Sequence, residues 1–148
     1  MFFTAIRGGI ERRDEDDGRQ PITFVRIGGV VSPSAGREED PDTPRRALVD
    51  TGARRSAIRG DLARRLGFSP FDKINVEMPW GALVVEAYDL EFRLPNGRTF
   101  YVLAAAIDGL ENIDVIIGMD IIRKSVLTVN GRRQSFRMSF PRGIVVPR

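Results

Sequence analysis

Cysteine and histidine are both absent from the 148 residues. Their absence removes disulfides, thiolate nucleophiles, histidine-based triads and the common zinc sites together. Acid–base chemistry near neutrality therefore falls to carboxylates. Long apolar runs are lacking as well. None approaches the roughly 18 residues that a membrane-spanning helix needs, and the opening Met1–Ile6 stretch is too short for a signal-peptide core, so the expected location is the cytoplasm. No dense oxygen-ligand loop of the EF-hand kind occurs. Lysine is scarce, and nearly all the basic residues behind the net charge of +3 are arginines. These are scattered (Arg12, Arg13, Arg45, Arg46, Arg54, Arg55, Arg64, Arg65, Arg132, Arg133) and interleaved with acids, without a basic helix. The pattern favours a solvated surface over a nucleic-acid site.

What is present has the composition of a soluble globular protein, with 42% hydrophobic and 29% charged residues. The length suits one domain, residues 1–148, with one core. Most of the 20 acids must be surface solvation. Asp50 differs from them, because the apolar run Ala47-Leu48-Val49 leads into it and Thr51-Gly52-Ala53 follows. A carboxylate at the end of a buried strand needs hydrogen bonds or a partner. Thr51 can supply a hydroxyl, and Gly52 allows backbone N–H groups to approach closely. Asp-Thr-Gly is also ordinary turn chemistry, so the tripeptide alone is a weak signal. A second stretch, Asn112 to Ile122, is another apolar strand ending in a glycine, Gly118, followed by a short apolar segment.

With both stretches in this order the chain resembles the retropepsin-like aspartic proteases. Asp50-Thr51-Gly52-Ala53 matches their catalytic loop, and Ile116-Ile117-Gly118 matches their hydrophobic-hydrophobic-glycine segment. The resemblance covers about residues 22–140. It implies a mainly β fold: a closed acid-protease barrel with one or two short helices, functional as a two-fold homodimer. It also implies an aspartic endopeptidase acting on peptide or protein substrates without metal or organic cofactor. One Asp50 from each subunit would activate water, Thr51 would brace the paired loops, and the Gly52 backbone would hold the carboxylates coplanar. Ala53, Arg54, Arg55, Trp80, Gly81 and Ile117 are the expected substrate contacts. Arg54 and Arg55 depart from the family pattern, being either cleft residues that favour acidic side chains or solvated ones. The alternative class is a retropepsin-fold binding or dimerisation module without useful activity.

Local patterns fill in the chain. Met1–Ile10 reads as a strand, Glu11–Gln20 as a polar loop, and Pro21–Val31 as a strand interrupted at Gly28-Gly29. Ser32–Pro44 reads as an exposed loop, either a connector or a substrate-gating insert. Ile58, Leu62 and Leu66 recur at helical spacing, predicting a helix over Ser56–Phe68. Lys73–Met78 and Leu83–Leu94 form a hairpin around Pro79-Trp80-Gly81-Ala82, with Trp80 expected exposed at its tip; in the family this hairpin is the flap. Pro95-Asn96-Gly97-Arg98 marks a tight turn into Thr99–Ile107. Met119–Lys124 should be a brief helix, and Ser125–Val129 with Arg132–Phe140 a final hairpin turning at Asn130-Gly131. Asp120 is expected to pair with Arg54 or Arg55 and so tie the two motif stretches together. The apolar tail Ile144–Val146 is the expected dimer-interface segment.

Overall fold

The computed structural model describes residues 3–13, 16–33, 36 and 38–141. The tail at 144–146 lies outside them. Ten strands and two short helices follow in the order β1 Phe3–Arg13, β2 Asp16–Gly29, β3 Arg45–Val49, β4 Ala57–Arg59, α1 Gly60–Arg65, β5 Asp72–Met78, β6 Gly81–Arg93, β7 Thr99–Ile107, β8 Val115–Ile117, α2 Met119–Ile122, β9 Val126–Asn130 and β10 Ser135–Pro141. All the strands join one sheet in the order β5-β6-β7-β4-β8-β3-β2-β1-β10-β9. An additional pairing of β6 with β2 joins Leu90–Arg93 to Arg26–Gly29. That pairing closes β6, β7, β4, β8, β3 and β2 into a ring, the barrel expected above. Among the described residues no helix is long and apolar enough to cross a membrane.

The β6–β2 contact leaves little room for a side chain at its glycine end. A Cβ at Gly29 would lie 2.8 Å from Leu90 Cδ2 and 3.0 Å from Phe68 Cδ1. The two glycines thus end the strand inside the ladder instead of interrupting it. Tyr88, Leu90 and Phe92 alternate inward on β6 and meet Ile27, Ile58, Leu62, Ile117, Met138 and Phe140 in a fully buried core. Phe100 packs on Phe140 with ring centroids 5.1 Å apart. The tight turn before β7 forms as its residues require: Gly97 takes φ +84°, and Asn96 Oδ1 accepts from Arg98 N at 3.0 Å.

Three local expectations are corrected. Glu11–Gln20 is a strand hairpin and not a polar loop, with Glu11 opposite Gln20 and Arg12 opposite Arg19. A ladder pairs backbones, so charged residues extend it without an apolar pattern. The helix begins at Gly60 and not at Ser56, because Ala57–Arg59 is needed as a strand between β7 and β8. Ile58 is buried on that strand, and its helical spacing from Leu62 is coincidental. The helix does stop as expected, with Gly67 at φ +74°. Gly67 N donates to Arg64 O and Phe68 N to Ala63 O, a Schellman closure. Finally, the β9–β10 connection spans residues 131–134, with Gln134 at φ 51°, and is longer than an Asn-Gly turn.

Candidate active site

β3 and β8 run parallel, with Leu48 opposite Ile116 and Val49 opposite Ile117. Both motif loops therefore leave the barrel at the same end. Asp50 N donates to Ile117 O at 3.0 Å, continuing that pairing by one bond. The chain then turns, with Ala53 N donating to Asp50 O at 3.2 Å. Gly52 N donates to Asp50 Oδ1 at 2.9 Å, fixing the rotation of the half-buried carboxylate. Thr51 and Gly52 are exposed at the tip of this turn.

The two loops are laced together below the tip. Met119 N donates to Ala53 O at 2.7 Å. Ser56, fully buried, donates its N–H to Asp120 Oδ2 at 3.0 Å and its hydroxyl to Asp120 Oδ1 at 2.7 Å. The same hydroxyl oxygen accepts from Gly118 N at 3.1 Å. Asp120 thus joins the motif stretches through Ser56. The expected arginine partner is not used, because the carboxylate already accepts from Ser56 and from Ile121 N at 3.0 Å. Gly118 must be glycine, since a Cβ there would sit 2.6 Å from Arg55 C and 2.7 Å from Arg55 O.

A groove of about 560 Å³ opens beside Asp50. Gly52, Ala53, Arg54 and Arg55 of the first loop line it, together with Asn75–Pro79 of the β5–β6 hairpin. Its floor is apolar: Ala57, Ala105 and Ile116 form a buried cluster against which Ala53, Ile74, Val76, Val85, Ile107 and Leu110 pack. The hairpin turns in two residues, Pro79 and Trp80, before Gly81 at φ +135°. Trp80 is 78% exposed at its tip, as its neighbours led us to expect. Because β5 is an edge strand, only β6 holds the hairpin wall over the groove.

The residues singled out in the sequence are thus partly assembled. Asp50, Gly52, Ala53, Arg54 and Arg55 meet at the groove, whereas Thr51, Trp80 and Gly81 stand outside its lining. Ile117, expected as a substrate contact, is 0% exposed and faces the core. Successive strand residues face opposite ways, so Ile116 lines the groove in its place. No alternation in Val115-Ile116-Ile117 could reveal this, since all three are buried. Ser56, which the sequence presents as the start of a helix, instead links the two motif loops. Its legible signal is a hydroxyl residue directly ahead of the apolar pair Ala57-Ile58. Among the described residues no group of three or more acids is placed to hold a metal ion.

Comparison with known proteins matches the aspartyl protease family over residues 35–121, a segment that contains both motif loops and the hairpin. Among solved structures the fold is similar to that of the EIAV protease complexed with the inhibitor HBY-793. The TM-score is 0.51 at 21% identity, and the match covers 77% of this chain and 92% of the viral one. A comparison with curated proteins found no match.

Proposed function

Because the chain belongs to the aspartyl protease family, we propose that it is an endopeptidase whose working form is a two-fold homodimer, with one Asp50 from each subunit at the centre of the site. The observation that carries this reading is Asp50 itself. It is a half-buried carboxylate, oriented by Gly52 N, at the edge of an apolar-floored groove. The chain contains a single Asp-Thr-Gly, so a two-carboxylate site requires two chains. Thr51 and Gly52, exposed in one subunit, are the residues the two-fold contact would cover.

In such a pair two negative charges within hydrogen-bond reach cannot both persist, and one proton is shared. The ionised carboxylate takes a proton from water as the water attacks the scissile carbonyl carbon. The protonated partner donates a hydrogen bond to the carbonyl oxygen, stabilising the tetrahedral intermediate. Proton transfer to the leaving nitrogen then allows the C–N bond to break. The Gly52 N–H keeps one Asp50 oxygen committed, leaving the other turned to the water. The apolar floor takes substrate side chains, and the β5–β6 hairpin acts as the flap, excluding water when it closes.

Incubation of a mixed peptide library with the wild-type protein and with Asp50→Asn tests the reading. Cleavage by the wild type alone is the expected result. Equal cleavage by both would assign the hydrolysis to another group, and none by a confirmed dimer would favour a binding module.

A further inference from the structure

A second cavity, of about 390 Å³, adjoins the groove and shares Arg54 and Arg55 with it. The remaining charged residues of its lining are Arg123, Lys124, Asp89 and Asp120. Four cations thus face two carboxylates, and one of these, Asp120, is already held by Ser56 and Ile121 N. Among the described residues none of the four cations lies within ion-pair distance of a carboxylate, although arginines elsewhere are paired, as Arg45 and Arg65 are with Glu39. Lys124 has its ammonium 5.7 Å from the centre of the Phe100 ring, which holds the side chain in place without neutralising it. Arg54, Arg55 and Arg123 are exposed. The cavity is therefore an electropositive extension of the groove with uncommitted donors.

We propose that this cavity is a specificity subsite for the carboxylate side chains of the substrate, selecting peptides with Asp or Glu a few residues from the bond that is cut. The assignment rests on the peptidase reading for the bond cleavage, and on Arg54 and Arg55, which line both cavities, for its location. An extended peptide advances about 3.3 Å per residue, so a chain lying in the groove presents successive side chains beyond Arg54 and Arg55. An Asp or Glu reaching the second cavity meets guanidinium donors in the geometry that carboxylates accept best. Asp89 opposes this, but it is outnumbered.

Two readouts near neutral pH test the subsite. In the first, peptides with an acid scanned one position at a time on both sides of the scissile bond are compared with glutamine equivalents, using the wild type and Arg123→Glu/Lys124→Glu. Partly exposed pairs of this kind support roughly a two- to fivefold preference in kcat/KM for the acidic peptide. That preference should vanish or invert in the double variant; a wild-type ratio of one would overturn the subsite. The second is binding of a fluorescent Asp/Glu-containing peptide to Asp50→Asn, where turnover plays no part. Binding that weakens on charge reversal supports the subsite even if no peptide is cleaved, whereas binding indifferent to it refutes the subsite. Arg123→Gln/Lys124→Gln, which keeps most of each apolar stem, repeats both readouts should the reversed pair fold poorly.

Discussion

Ser56 Oγ donates a 2.7 Å hydrogen bond to Asp120 Oδ1 and accepts one of 3.1 Å from Gly118 N. One buried hydroxyl thereby satisfies groups from a stretch more than sixty residues away and sets the spacing between the two motif loops. In Ser56→Ala, the buried Gly118 N and one oxygen of the part-buried Asp120 each lose a partner. The expected destabilisation is about 1–3 kcal/mol, read by urea unfolding. Asp120→Ala should cost a similar amount, and the double variant less than the sum of the two. Additive costs would mean that the pair does not act as a unit.

Gly118→Ala has no room for its methyl group, because the neighbours are backbone atoms of Arg55 and Ala53, the latter 2.9 Å away. Either β8 or the Asp50 loop must move. A loss of roughly 1–3 kcal/mol or more is expected in thermal unfolding, together with loss of peptidase activity. Gly131→Ala is the matched control, since nothing lies within 4 Å of its added Cβ.

Trp80 is too exposed to contribute to the core. Trp80→Ala should leave unfolding stability within ~0.5 kcal/mol of the wild type. If the hairpin closes over the substrate, the same change raises KM, and a steady-state titration with a cleavable peptide measures it. An unchanged KM would place the tip outside the closed complex.

Glu39 anchors the 32–44 loop by accepting from Arg65 Nε at 2.9 Å and Arg45 NH1 at 3.0 Å. The hydrogen bond from Arg65, then that from Arg45, holds its carboxyl below the ordinary value of 4.5. A group depressed in the folded state adds stability above its ordinary value and loses it as pH falls through the depressed one. Glu39→Gln should therefore lower Tm at neutral pH. The gap to the wild type should narrow as the pH falls below 4.5. A gap that stays constant with pH would show that the charge is not what anchors the loop.

Much of this arrangement is legible in the sequence, where pattern and turn chemistry agree. Thr99–Ile107 is an apolar run between a glycine turn and a second break, and it is a strand over those same residues. Residues 72–94 announce their hairpin through Pro79 and Gly81. Where backbone pairing decides the structure, the side chains say little, so the charged β1–β2 hairpin reads as a loop. Where both faces of a strand are apolar, as at Ile116 and Ile117, the sequence cannot say which side chain meets the groove. The Ser56–Asp120 bond is hidden for another reason. Two arginines next to the loop offer Asp120 a more obvious partner, yet a buried serine with both its N–H and its hydroxyl aimed at the carboxylate satisfies it better.

The proposed pairing of two Asp50 carboxylates from separate subunits is tested most directly by mixing. Wild-type and Asp50→Asn chains are unfolded together, refolded at fixed total concentration, and assayed on one cleavable peptide. If each site needs an Asp50 from both subunits, only all-wild-type dimers work, and an equal mixture keeps about one quarter of the full activity. Retention of about one half, in proportion to the wild-type chains present, would contradict the shared site.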